Sequence, residues 1–130
     1  MRQSKQRETI RAVLSSSAAP LSVAEILSKA KESAPAMGIA TVYRHLSQWL
    51  REGKLVPVEF AGESCRYELA DKAHHHHFFC RNCGRVYELP GCVAGLQAIV
   101  PEGFETQQHE LTIYGACRAC AANKENQHAN

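Results

Sequence analysis

The sequence has no apolar run long enough to cross a membrane; a helical span needs roughly 18–20 such residues. Its opening, Met1-Arg2-Gln3-Ser4-Lys5-Gln6-Arg7, has no apolar core of the kind a secretory signal carries. Together these absences set the expectation of a cytoplasmic protein with no membrane partner. H-E-x-x-H is also missing. That helical histidine pair, with its adjacent base, marks a large class of zinc hydrolases. Strong charge bias is missing too: 15 Lys and Arg stand against 13 Asp and Glu in 130 residues, for a net charge of +2. Residues 1–70 hold ten basic and seven acidic side chains (+3) and residues 71–130 hold five and six (−1). The tilt favours a polyanion partner for the first half only slightly.

The chain is long enough for one ordinary domain or two small ones. Two small ones would each bury little apolar surface, so each would need a metal or a dimer interface as a staple. Material for such a staple is abundant. Five of six cysteines and six of seven histidines lie beyond residue 70, leaving only Cys65 and His45 before it. In a cytoplasmic chain such cysteines point to metal or redox chemistry rather than to structural disulfides.

Periodicity predicts a first helix over Glu8–Leu14, with Ile10, Val13 and Leu14 on one face. A loop follows over Ser15–Pro20. Ser22-Val23-Ala24-Glu25 has the form of a capping box and opens a second helix running to about Glu32, with Val23, Ile26 and Leu27 inward. Pro35 and Gly38 break the pattern. A third helix is expected over Ala40–Glu52, burying Val42, Leu46, Trp49 and Leu50 and ending at Gly53. It leaves Thr41, Arg44, Ser47, Gln48 and Arg51 on the other side, which taken alone reads as a solvated face. Leu55–Phe60 and Cys65–Leu69 read as strands around an Ala61-Gly62-Glu63-Ser64 turn. Three short helices and a hairpin suggest a winged helix-turn-helix over residues 1–70.

Residues 71–73 read as a linker and 74–120 as a second domain. There Phe78–Cys80 and Arg85–Leu89 are expected strands flanking a tight Cys83-Gly84 turn, Cys92–Val100 a short helix, and Leu111–Tyr114 another strand. Residues 121–130 read as a polar, frayed tail. The overall expectation is an α+β chain: a winged helix followed by a small α/β domain.

Cys80-x-x-Cys83 and Cys117-x-x-Cys120 carry the strongest chemistry. Two residues between thiolates let one turn chelate a single ion, and two such turns complete a tetrahedral zinc site with bonds of roughly 2.3 Å. Four thiolates leave no open position, so this zinc is expected to be structural. The competing readings are a redox dithiol and unrelated buried thiols. His74-His75-His76-His77 precedes the first pair. A tag would not sit inside the chain and flow into Phe78-Phe79-Cys80; the remaining alternative to metal binding is a polar surface strand. On a strand alternate residues face opposite ways, so His75 and His77 would serve one site and His74 and His76 another. Further donors are open among Cys65, Glu68, Glu88 and His109, each of which taken singly is more often structural or solvated. Cys92 and His128 have no assignment. Imidazole suits zinc, iron, nickel and copper alike.

Gly38-Ile39-Ala40-Thr41-Val42-Tyr43-Arg44-His45-Leu46 resembles the recognition helix of the ferric uptake regulator family. His74–Cys83, with Gly84 and Glu88, resembles that family's H-x-H-F-x-C-x-x-C-G segment. His109–Cys120 resembles its closing segment, and Ser4-Lys5-Gln6-Arg7 its T-P-Q-R opening. The resemblance runs from Ser4 to Cys120. It implies a homodimeric repressor that binds double-stranded operator DNA through the winged helix and dimerises through the second domain.

By the same resemblance Thr41, Tyr43 and Arg44 face DNA and Arg7 approaches its backbone or minor groove. Cys80, Cys83, Cys117 and Cys120 hold structural zinc. Glu68, His75, His77 and Glu88 match a sensing site, and His74, His76 and His109 a third site. Pro20 stands where iron and peroxide sensors often place a histidine, and Glu68 and Glu88 replace the aspartates usual in peroxide sensors. Cys65 adds a soft donor to the sensing candidates. Sulfur with imidazole favours Zn²⁺ over Fe²⁺ or Mn²⁺. The expectation is therefore a zinc-sensing regulator of metal-homeostasis genes, not an enzyme, with a structural and a second, regulatory Zn²⁺ per chain and no other small-molecule substrate. An iron or peroxide sensor is the alternative within the family. Outside it stand a zinc-dependent hydrolase, a C-x-x-C redox protein and a winged helix that binds DNA constitutively.

Overall fold

Ser22 fixes the local geometry of the first half. Its Oγ accepts the amide of Glu25 at 3.2 Å, and Glu25 Oε1 accepts the amide of Ser22 at 3.0 Å. This reciprocal cap satisfies two orphan donors at the helix start. Glu25 Oε1 also takes Arg66 at 3.2 Å. The computed structural model describes residues 2–128 and falls into two units, Met1–Lys72 and Ala73–Asn130.

The first unit runs α1 (Arg2–Ser16), β1 (Leu21–Ser22), α2 (Val23–Ala30), α3 (Ile39–Arg51), β2 (Leu55–Val58) and β3 (Arg66–Leu69). α1 extends further at both ends than the apolar pattern suggested. α2 stops two residues short of Glu32, because residues 31–33 tighten into a turn ahead of Pro35. α3 ends in a Schellman motif: Lys54 N–H donates to Trp49 O at 2.9 Å and Gly53 N–H to Leu50 O at 3.2 Å. Gly53 takes the positive φ of 75° that this cap needs. Ile10, Leu14, Ile26, Val42, Leu46, Trp49 and Leu55 close the core. The sheet has the order β1-β3-β2, all antiparallel. Pro57 sits on the edge strand β2, where a missing N–H is tolerated.

The second unit is a sheet of β4 (His75–Cys80), β5 (Val86–Pro90) and β6 (Thr112–Gly115), followed by α4 (Arg118–His128). Its order is β5-β4-β6; β4 pairs antiparallel with β5 and parallel with β6. The central strand therefore starts within the histidine run and ends on Cys80. Two expectations need correcting. Cys92–Val100 is not a helix: it holds only a 3-10 turn over Leu96–Ile99, because Gly91 and Gly95 adopt φ of 86° and 87°. Nor does the chain fray from Ala121. α4 continues through His128, started by Ala121 N–H donating to Cys117 O at 2.8 Å; residues 129 and 130 lie outside the described residues. Among the described residues, no helix is long and apolar enough to cross a membrane.

Candidate metal centres

The hairpin turn after β4 and the turn after β6 bring Cys80, Cys83, Cys117 and Cys120 together, with their sulfurs all within 4.8 Å of one another. Parallel pairing of β4 with β6, ending at Cys80 opposite Gly115, produces this meeting. Cys117 N–H donates to Cys80 Sγ at 3.3 Å, and Cys83 and Cys117 sulfurs lie 3.9 Å apart. Backbone amides pull the Cys80 thiol down to about 6, Cys117 first and then Cys83. Cys120 is pushed up to about 12, first by its hydrogen bond with Cys117 and then by burial. One sulfur is thus disposed to carry charge and its neighbour to resist it, and a divalent cation is the partner that lets a four-thiol group ionise together. The donor set fits Zn²⁺ and leaves no open position.

Tyr87, which sequence reasoning passed over, belongs to this group. Its hydroxyl pairs with Cys117, and that contact is the first cause of the raised phenol pKa. The same contact, after the amide of Cys120, lowers the Cys117 thiol. Only the alternation along β5 could have placed Tyr87 there, since it has no motif of its own.

On one face of β4, His75 and His77 stand with ring centroids 4.8 Å apart, and Glu88 is the cross-strand partner of His77. Glu88 Oε1 lies 3.7 Å from His75 Nε2. His75 Nδ1 is 2.7 Å from the carbonyl of Ala73. A carbonyl only accepts, so Nδ1 carries the proton and Nε2 turns its lone pair to the glutamate side, the tautomer a metal ligand needs.

On the opposite face His74 and His76 meet His109, which arrives just before β6. His76 Nε2 lies 3.1 Å from His74 Nε2 and 3.2 Å from His109 Nε2. His76 is buried, and burial, then the neighbouring imidazoles, hold its pKa below the usual histidine range. It is therefore a neutral donor at physiological pH. Cys92, unassigned from the sequence, joins this cluster.

The candidates of the first unit are placed differently. Glu68 on β3 lies 3.5 Å from Lys72 Nζ. Cys65 Sγ is 3.5 Å from the carbonyl of Arg66 and hydrogen-bonds Tyr67, whose phenol is raised by burial first and by Cys65 next. On α3, Tyr43 and Arg44 are exposed and Thr41 is half-buried; Arg7 is exposed on α1. His45, one residue beyond Arg44, turns inward.

The family model described as the ferric uptake regulator family matches residues 1–114. The chain is 33% identical over 130 residues to the ferric uptake regulation protein of Campylobacter jejuni, covering 95% of this chain and 82% of that one. It is also 33% identical to the peroxide operon regulator of Bacillus subtilis, over 125 residues, 93% of this chain and 84% of the relative. Among solved structures it is similar to the Helicobacter pylori ferric uptake regulator, described as having three functional metal-binding sites. That match has a TM-score of 0.77 at 27% identity, covering 90% of this chain and 80% of that one.

Proposed function

The chain belongs to the ferric uptake regulator family of metal-responsive transcription regulators, and we propose that within it this protein is a zinc-responsive regulator that binds operator DNA as a homodimer. The observation that carries the reading is β4, with imidazoles on both faces and a four-cysteine group at its end. Nitrogen and sulfur donors dominate that strand, and they suit Zn²⁺ better than Fe²⁺ or Mn²⁺.

In this reading Cys80, Cys83, Cys117 and Cys120 hold a structural zinc that contributes folding free energy to the second unit. His75, His77 and Glu88 are the regulatory donors. Glu68, with Cys65 as a softer candidate, is a further proposed donor, on the strength of the family resemblance. Metal occupancy is coupled to DNA affinity, because the protein with its regulatory donors filled is the form that fits the operator. Couplings of this kind are about 1–3 kcal/mol, or roughly 5–150-fold in affinity. Thr41, Tyr43, Arg44 and Arg7 supply the DNA contacts.

Fluorescence anisotropy with an A/T-rich palindromic duplex tests this. The protein is reduced and mildly chelated so that the four-cysteine zinc stays bound, and Zn²⁺, Fe²⁺ and Mn²⁺ are titrated separately. The reading requires that Zn²⁺ switch binding on at the lowest free concentration. Preference for Fe²⁺ or Mn²⁺ would favour the second reading, an iron or peroxide sensor, which the similarity to the Bacillus subtilis peroxide regulator supports. Binding indifferent to all three would make the chain a constitutive winged helix.

A further inference from the structure

Cys92 follows β5, two residues beyond Pro90. His76 pairs with Leu89 in the β4–β5 ladder, and three residues further along an extended strand would carry Cys92 about 10 Å away. The turn at Gly91, φ 86°, prevents that. It leaves Cys92 Sγ 3.4 Å from His76 Nε2 and 3.0 Å from His109 Nε2. His74 Nε2 completes the group, and all four donor atoms lie within 4.8 Å of one another.

Hydrogen bonding does not account for this convergence. An imidazole nitrogen offers either one N–H or one lone pair, yet His76 Nε2 has three donor atoms 3.1–3.4 Å away. A cation takes all four lone pairs at once. Zinc bonds of 2.0–2.1 Å to nitrogen and 2.3 Å to sulfur place tetrahedral ligands about 3.3–3.6 Å apart. The four spacings of 3.0–3.4 Å reach that with an outward shift of a few tenths of an ångström, and His74 lies within 4.8 Å of both His109 and Cys92.

We infer that Cys92 is the fourth ligand of a closed, three-histidine, one-thiolate site with His74, His76 and His109, and that the site takes Zn²⁺ or a cation of similar softness. The inference rests on the metal-binding reading of the three histidines and assigns the residue that sets which metal they hold. A thiolate makes the donor set softer than histidines with carboxylates or water, which disfavours Fe²⁺ and Mn²⁺. The site also ties the segment between β5 and β6 at both ends, because Cys92 opens that segment and His109 closes it.

The test uses full-length reduced protein with its four-cysteine zinc retained and verified by metal analysis. Zn²⁺ is added, exposed thiols are alkylated, and modification is mapped by mass spectrometry. Cys92 is exposed, so it should react readily without added metal and be protected with it, and protection should vanish in His76→Ala. In parallel, Co²⁺ is titrated into the wild type, Cys92→Ser and Cys65→Ser. The thiolate-to-cobalt charge-transfer band should weaken in Cys92→Ser, and the band that remains in Cys65→Ser, which removes the other candidate thiolate, should be the share that Cys92 supplies. If Co²⁺ binds in a His76-dependent way but Cys92→Ser leaves the spectrum unchanged and Zn²⁺ does not protect Cys92, the thiolate ligand is overturned while the histidine site stands. If His76→Ala changes neither readout, the metal-binding reading of the three histidines fails as well.

Discussion

His45 stacks on Trp49 inside the first unit, with ring centroids 5.9 Å apart and, among the described residues, no hydrogen-bond partner for either imidazole nitrogen. α3 places it on the buried stripe beside Val42 and Leu46, one residue from the exposed Arg44. Burial, then Arg44 and Arg7, lower its pKa from 6.5. The folded state therefore refuses a proton that the unfolded chain accepts. Stability from this residue is intact above pH 6.5 and falls as pH drops through that value toward the lower folded pKa.

The substitution His45→Leu should remove that pH dependence. At mildly alkaline pH it should also stabilise the chain by about 1 kcal/mol, since it removes two buried, unpartnered polar atoms. Urea melts of wild type and variant across pH give the difference directly, which cancels the titration of the other histidines. A constant difference from alkaline pH down to below 6 would show that His45 is not the titrating group.

Tyr87 donates to Cys117 from β5 and is partly exposed. Tyr87→Phe keeps the ring and deletes the donor. Loss of such a supporting hydrogen bond typically weakens metal affinity by about 10–100-fold. Chelator competition should show zinc leaving the four-cysteine site correspondingly more easily, with the apo protein otherwise unchanged. Equal retention in both proteins would mean that the phenol does not support the thiolate.

Local chemistry was legible in the sequence, and distant meetings entered only through the paired C-x-x-C motifs and the family resemblance. The Ser22 capping box, the α3 stripe and the two C-x-x-C turns each depend on residues a few positions apart. The segment after β5 misled because Val93, Leu96, Ile99 and Val100 are spaced like a helix face. Gly91 and Gly95 break that helix, and Val93 and Ile99 remain exposed. α4 was hidden by polar composition, although Ala121 anchors it directly to Cys117. The parallel pairing of β4 with β6 has no local signal at all. Without it His109 has no link to His76 and Cys92, and Cys117 does not reach Tyr87.

Tyr43 and Arg44 are exposed on α3 while Val42, His45 and Leu46 are packed. Alanine at either exposed position should weaken operator binding without changing zinc content. If Arg44 meets a phosphate, the slope of log affinity against log salt should flatten by about 0.9, one counterion's worth. Anisotropy at several salt concentrations, with metal analysis of the same samples, measures both. Zinc lost along with DNA affinity would mean that the two units do not divide the work as proposed.

The sharpest test of the regulatory site is His77→Ala. His77 is buried on the Glu88 face of β4, opposite the face that carries His76. The variant should keep its four-cysteine zinc and its metal-free DNA affinity, and lose the roughly 5–150-fold gain that Zn²⁺ is expected to confer. Linkage supplies an independent check, because a metal that tightens DNA binding must itself be tightened by DNA to the same degree. Operator DNA should therefore raise the apparent zinc affinity of the wild type and leave that of the variant unmoved. Cys80→Ser should behave differently, losing zinc and the fold of the second unit together. A His77→Ala protein with a full zinc response would remove this face of β4 from the switch.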